Sequence, residues 1–396
     1  MDCPHIPQIP YHEFSEMIYD KVSKRRIPIS GSMELTFGCN LDCVHCYCDH
    51  GMKKNEMKFR DVCRILDEMA DAGCLWLLLT GGEPLLREDF LDIYAYAKKR
   101  GMIISLFTNG TLISPYIADF LEDLPPFMVE ISLYGMTPRT YEKISRVSGS
   151  FDRCLKGINF LLERGLPVTL KTMLMSMNKK EIPAMKKYAA QLGVKFRFDP
   201  FLNPRLDRSL EPCSFRVKPE EVLEFDLADK ERKAGWKDFC EKFPAPADTD
   251  LLYSCSAGRS SFHIDPAGNL GLCVISRYPN YNLKTGTFEE GWLDAVPRLI
   301  RQKKTFAYEC AGCELRDLCA GCPGWSELET GNPEMPVEYL CRTAHLRAKA
   351  FAFGRYAKKT AVRTSRLGKA AITRFISEGE GRKKSKKEVG YGGEKE

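Results

Sequence analysis

Residues 35–52 read LTFGCNLDCVHCYCDHGM. Cys39, Cys43, Cys46 and Cys48 fall within ten positions, and the first three are separated by three and then two residues. The stretch continues a β-rich run, MELTF (33–37), so the thiols stand at the outlet of a strand. A structural zinc site takes four protein ligands as a rule. Iron–sulfur cubes are also held by close-set cysteines, and three ligands on a four-iron cube leave one iron open to something else.

Outward from this point the chain alternates. LWLLLTGG (75–82), MIISLFTNG (102–110), MVEISLYG (128–135), VTLKTMLM (168–175) and KFRFDP (195–200) read as further strands. Helical patterns lie between them. KFRDVCRILDEMADAG (58–73) sets Phe59, Val62, Cys63, Ile65, Leu66 and Met69 on one face and stops at Gly73. EDFLDIYAYAKKRG, SPYIADFLED, FDRCLKGINFLLERG and KEIPAMKKYAAQLG repeat the theme. Six strands alternating with helices predict a parallel sheet with crossover helices, short of the eight units of a closed barrel. The expected fold class is therefore α/β, an open, partial (β/α)6 barrel. Ligands of such sheets bind at the carboxyl ends of the strands. There the sequence places the three cysteines, then GGEP (81–84), TNG (108–110) and SLYG (132–135).

Composition limits the function classes. The chain has 396 residues, 44% of them hydrophobic, which suits two or three globular domains. No apolar run approaches the roughly 18 residues of a membrane span, and the N-terminus lacks a signal peptide's pattern. A cytoplasmic location is expected, and 17 cysteines in a reducing compartment point to metal binding rather than disulfides. Residues 355–396 contain 13 Lys or Arg and 5 Asp or Glu, so the chain's net +6 resides in that tail. The near-neutral body gives no support to a nucleic-acid enzyme. The tail, including GRKKSKKEVGYGGEKE, reads as a basic, partly disordered end.

A second set of cysteines lies towards the C-terminus: Cys255, Cys273, Cys310, Cys313, Cys319, Cys322 and Cys341. SFHIDPAGNLGLC (261–273) reads as a β-hairpin, and ECAGCELRDLCAGC (309–322) carries two Cys-x-x-C pairs. Read alone, the pairs leave zinc open. Seven ligands, however, do not divide into fours, and the pairs are closer than in a zinc ribbon.

CNLDCVHC followed by GGEP resembles the signature of the radical S-adenosylmethionine (SAM) superfamily. The resemblance implies a [4Fe–4S] cluster on Cys39, Cys43 and Cys46, with SAM chelating the open iron. It also implies reductive cleavage of SAM to a 5′-deoxyadenosyl radical that abstracts a substrate hydrogen. His45 stands where the family usually has Tyr or Phe, beside the adenine. Gly81, Gly82, Glu83 and Pro84 would meet the SAM amino group. Ser132 matches a ribose contact with Asn109 nearby, and Arg153 matches a partner of the SAM carboxylate. Cys48 falls outside the pattern as a bystander.

The C-terminal set is similar to the SPASM domain, an auxiliary-cluster module of the same superfamily. That implies two further clusters, one on Cys255, Cys273 and Cys322, the other on Cys310, Cys313, Cys319 and Cys341. The first lacks a fourth cysteine, and Ser261 stands where some relatives supply a ligand. The remaining cysteines have no such pattern. Of these Cys63 and Cys154 read as core residues, and His263 reads as a hairpin residue.

The expected organisation is an N-terminal extension (1–30), the barrel (31–202), a linker with a helix (203–250), the auxiliary-cluster domain (251–345) and the basic tail (346–396). The resemblance implies a peptide or protein substrate, and an external electron donor such as a flavodoxin or ferredoxin. Only 32 residues precede the first strand, so a leader peptide would need a separate binding protein. A small-molecule enzyme of cofactor or haem-type biosynthesis is the second reading. A non-catalytic iron–sulfur electron carrier is the third, and the GGEP element argues against it. Sulfatase-maturing relatives carry an Asp where this chain has Val274, which disfavours that activity.

Overall fold

The computed structural model describes residues 17–18, 21–22, 24–48, 55–242, 250–276, 279–305, 310, 313, 315, 318–319 and 321–351. Cys3 and almost all of the basic tail therefore lie outside the described residues. The rest fall into two compact units. One is drawn from Met1–Lys218, Ala247–Ala311 and Gly321–Glu338, the other from Pro219–Pro246, Gly312–Ala320 and Tyr339–Glu396.

The first unit is built on a sheet. Six parallel strands follow one another in order: β1 (Ser30–Glu34), β2 (Trp76–Thr80), β3 (Ile103–Thr108), β4 (Met128–Ser132), β5 (Val168–Met173) and β6 (Lys195–Asp199). The crossovers are α1 (Phe59–Asp71), α2 (Phe90–Lys99), α3 (Pro115–Asp123), α4 (Pro138–Ser145) with α5 (Ser150–Glu163), and α6 (Ile182–Gln191). α1 buries Val62, Ile65, Leu66 and Met69, while Phe59 at its first position stays exposed and Cys63 is half-buried. α3 and α4 begin alike, each with a hydroxyl N-cap followed by proline: Ser114 accepts from the Ile117 N–H and Thr137 from the Thr140 N–H. The partial barrel is thus borne out. α4 is an added helix that the strand–helix reading did not contain.

The sheet is larger than expected. It runs β6-β5-β4-β3-β2-β1-β7-β8-β9, with β7 (Ser261–Ile264), β8 (Asn269–Gly271) and β9 (Pro279–Asn282). β7 lies parallel to β1, Ser30 opposite Ser261 and Met33 opposite Ile264. The predicted hairpin, β7–β8, forms. The Asp265 carboxylate caps its turn, accepting the N–H groups of Ala267 and Asn269 at 2.9 Å each, and Gly268 takes a left-handed φ of +85°. What periodicity could not show is that the hairpin extends the barrel sheet. Gly31 makes this fit, because a Cβ there would stand 2.4 Å from the Phe262 ring. Phe262 in turn packs edge-on to Phe288, 4.8 Å between ring centres.

The second unit contains α7 (Pro219–Ala228), α8 (Lys230–Lys242) and most of a helix spanning Glu338–Phe351. The charged helix read in the 203–250 segment is thus two helices. Leu315, Leu318 and Ala344 form a small core, with Trp236, Phe239, Cys240, Cys313 and Cys319 packed on it. Asp226, fully buried, accepts from Arg347 at 2.8 Å and from Arg232 at 2.6 Å, and the Arg347 guanidinium lies 4.0 Å from the Trp236 ring centre. Two cations on one buried carboxylate, one of them covered by an indole face, keep that charge compensated. Among the described residues no helix is long and apolar enough to cross a membrane.

Candidate active site

The strand ends of the first unit converge as the sequence implied. Beyond β1 the chain is fastened to the turn after β2: the Gly82 N–H donates to Thr36 O at 2.8 Å and the Glu83 N–H to Gly38 O at 2.9 Å. A Cβ on Gly82 would lie 2.3 Å from Gly38 O, and one on Gly81 2.8 Å from Thr36 O. Both glycines are needed for this backbone approach alone. The cysteine loop is then pinned elsewhere along its length. Asp42 and Val44 N–H groups donate to Ser145 and Ile144 carbonyls at the end of α4, each at 3.0 Å. Asn40 donates to Thr111 Oγ1 at 2.7 Å and accepts from Asn109 Nδ2 at 2.9 Å.

Glu83 ties the next two strand ends together. Its fully buried carboxylate accepts from Thr108 Oγ1 at 2.7 Å, from the Asn109 N–H at 2.7 Å and from the Leu85 N–H at 3.2 Å. Burial pushes its pKa up to about 7, with the three donors opposing. Its side chain acts as a strut between the ends of β2 and β3.

These elements wall a cavity of about 350 Å3. Cys39, Cys43, Cys46, His45, Gly81, Gly82, Asn109 and Ser132 line it, so most of the expected site residues are brought together. Glu83 and Pro84 are buried beside it and do not line it, and Arg153 is exposed on α5, away from the lining. Cys48, read as a bystander, does line it. Among the described residues no three His, Cys, Asp or Glu side chains converge on the position of a single metal ion. The three loop thiols instead share the wall of a space larger than one ion.

The donors suit a thiolate-held cluster. Burial pushes the Cys39 thiol up to about 11 and the Cys43 thiol well above its ordinary value; the Leu41 N–H, 3.4 Å from Cys39 Sγ, and the Tyr134 hydroxyl on Cys43 oppose this. A coordinated cation supplies the charge that deprotonates such thiols. His45 is held edge-on to Tyr134 with ring centres 4.8 Å apart, and its buried Nδ1 has no hydrogen-bond partner. Burial lowers its pKa to about 4, so the ring is neutral.

Several lining residues were missed by sequence reasoning. Tyr47 donates to the buried Glu34 at 2.9 Å, and Glu34 lies 3.6 Å from His263 Nε2, whose Nδ1 meets Ser32 Oγ at 2.9 Å. His263 is thus part of a buried polar chain, beyond its place in the hairpin. Lys171, Asp199, Phe201, Asn203 and Trp325 complete the far wall. A lysine in the apolar run VTLKTMLM was the available signal for the first. Val274 also lines the cavity, so the position expected to lack a base does lack one there.

Of the second cysteine set, Cys322 comes within electrostatic reach of both Cys273 and Cys255 in the first unit. Cys322 is the N-cap of the helix Pro323–Thr330, its Sγ accepting from the Trp325 N–H at 3.3 Å, and Cys273 Sγ accepts from the Ser276 N–H at 3.4 Å. Ser261 Oγ instead meets Ser256 Oγ at 3.4 Å. Cys310 belongs to the first unit, whereas Cys313, Cys319 and Cys341 belong to the second.

Comparison with known proteins agrees with this site. Residues 33–189 match the radical SAM superfamily. The chain is 29% identical over 325 residues to the AdoMet-dependent heme synthase of Methanosarcina barkeri, covering 76% of this chain and 92% of that protein. It is 27% identical over 340 residues to the mycofactocin maturase MftC of Mycobacterium tuberculosis, covering 80% and 84%. Among solved structures, Streptococcus suis SuiB bound to its precursor peptide SuiA superposes with a TM-score of 0.63 at 16% identity, over 84% of this chain and 82% of that one.

Proposed function

We propose, for a chain that is a radical SAM enzyme with a SPASM-type C-terminal domain, that its substrate is a peptide or protein. The chemistry supplied by a bound [4Fe–4S] cluster and SAM is reductive cleavage to a 5′-deoxyadenosyl radical, which takes a substrate hydrogen. Cys39, Cys43 and Cys46 are the ligands in this reading, and the Asn40–Thr111–Asn109 bonds fix the loop that carries them. His45, Asn109 and Ser132 face SAM with the backbone of Gly81 and Gly82, and Tyr134 keeps the Cys43 thiol oriented. Arg153, exposed on α5, would be the partner of the SAM carboxylate. Cys255, Cys273 and Cys322, and Cys310, Cys313, Cys319 and Cys341, would hold two auxiliary clusters, which would supply an electron acceptor, with a flavodoxin or ferredoxin as outside donor and the cytoplasm as setting.

One observation carries the choice of a peptide. The sheet ends at β6, and Asp199, at its end, with Phe201, Leu202 and Asn203 just beyond, lines the cavity. An edge strand leading into a site is what an extended chain pairs with. The heme synthase likeness supports a second reading, a propionate-bearing tetrapyrrole. To test the choice, the enzyme is co-expressed with short open reading frames flanking its gene, and the peptides are weighed by mass spectrometry. SAM-dependent loss of hydrogen from such a peptide is expected; turnover of an iron porphyrin with every flanking peptide unchanged would overturn the reading.

A further inference from the structure

Among the described residues that line the cavity, Lys171 alone is a cation and Asp199 alone a carboxylate. Lys171 sits on β5 in register with Ser132 of β4 and Arg197 of β6, four strands round the sheet from the cysteine loop. Its Nζ lies 2.9 Å from Glu130 Oε1 and 3.9 Å from the centre of the Phe107 ring. Glu130, 1% exposed, is already gripped by Arg197 through a two-point fork, Nε to Oε2 at 2.7 Å and Nη2 to Oε1 at 2.6 Å. Such a fork satisfies a carboxylate in both charge and geometry. Lys171 therefore brings a second positive charge to a carboxylate that has one, and the three side chains carry a net charge of +1.

A lysine ammonium has three donors. Glu130 accepts one and the Phe107 face covers another, which leaves donor capacity for whatever fills the cavity. Asp199 also acts on Lys171 electrostatically, but it is exposed at the end of β6, where solvent screens it, and its Oδ1 already accepts from the Phe201 N–H at 2.8 Å. A half-buried surplus charge is costly unless a partner arrives to meet it.

We propose that Lys171 is the anchor for a carboxylate on the substrate. The proposal rests on reading this cavity as the substrate site. In a peptide the carboxylate belongs to a Glu or Asp side chain or to the C-terminus; in a tetrapyrrole it is a propionate. The carboxylate of SAM itself is the remaining source.

Three measurements on the reconstituted full chain separate these, using Lys171→Met, which keeps length without charge, and Lys171→Arg. Lys171→Gln serves where the Met variant fails to fold, as judged by circular dichroism. Equilibrium dialysis with SAM is expected to give the same affinity for every variant; a loss of about tenfold or more in the neutral ones would assign Lys171 to the cofactor and overturn the proposal. Selection from a random displayed peptide library with SAM present should enrich an acidic residue with the native protein and Lys171→Arg, and lose that enrichment with Lys171→Met. Peptides recovered without acidic preference would exclude a peptide carboxylate as what Lys171 holds, and the haemin arm then decides the anchor. Haemin against its dimethyl ester forms the third arm. Preference for haemin that needs Lys171 keeps the anchor and moves the substrate to a tetrapyrrole. No acidic enrichment together with equal binding of haemin and ester overturns it.

Discussion

Two of the glutamates buried beside the cavity, Glu83 on the β1–β3 side of the barrel and Glu130 on the β4–β6 side, are treated in opposite ways. Glu83 is met by neutral donors from Thr108, Asn109 and Leu85. Glu130 is met by two cations, Arg197 and Lys171. The first arrangement fastens strand ends to one another and uses up its own hydrogen bonds, as suits a wall that must hold a fixed loop. The second sets two cations on one carboxylate, Lys171 at the wall of the space proposed for the substrate. The difference teaches that rigidity and receptiveness are divided between the halves of one sheet.

The largest effect expected is on the fixed side. Changing Cys39, Cys43 and Cys46 together to Ala should abolish 5′-deoxyadenosine formation and remove one cluster's iron, since Cys48, the thiol left among the described lining residues, cannot hold a cube alone; residual SAM cleavage by the triple variant would break the contrast. Next, Glu83→Ala orphans three donors at once, and an unfolding titration should show a loss of about 3 kcal/mol. That deficit should depend on pH. The folded pKa of about 7 lies above the ordinary 4.5, so the native state keeps a proton that the unfolded chain has released. Stability from this group is therefore present at low pH and lost as pH rises through that window, and the deficit should shrink from pH 5 to pH 8. A constant deficit would show that Glu83 stays ionised throughout.

Arg153→Ala sharpens the comparison at the cofactor. It should weaken SAM binding by about tenfold, as loss of a charge partner does. Its exposure predicts a melting temperature unchanged from the native protein. On the receptive side Glu130→Gln should cost less than Glu83→Ala, about 1 kcal/mol, because Arg197 is 53% exposed and solvent screens what remains. A cost equal to that of Glu83 would mean that both halves are equally fixed. Smallest of all, Ser261→Ala should leave iron content and SAM cleavage unchanged, since the Ser261 hydroxyl meets Ser256; loss of a cluster would make that oxygen a ligand.

What could be read in advance was local. Each strand of the barrel, and each crossover helix but α4, carries its own periodicity, and each glycine-rich strand end announces itself. The three loop cysteines were legible because their spacing is confined to eight residues. Lys171 was not, since its meaning depends on Glu130, Phe107 and Arg197, each from a different strand. Nor was the placing of the hairpin: β7 looks the same whether it stands apart or joins β1. Glu83 was half legible: its motif set it at a strand end, but it was not identifiable as a strut until Asn109 and Thr108 were placed against it.

The pairing of β1 with β7 sets an order of manufacture. Partners such as Ser32 and Phe262 are 230 residues apart, so a ribosome adding about 5–20 residues per second needs roughly 10–50 s to deliver the second after the first. Throughout that interval the strand that launches the cysteine loop has β2 on one flank and a bare edge on the other, a template for pairing with other nascent chains. The loop proposed to hold a cluster is thus framed early but finished late. A polypeptide released before residue 261 would carry its thiols on an unfinished, adhesive strand.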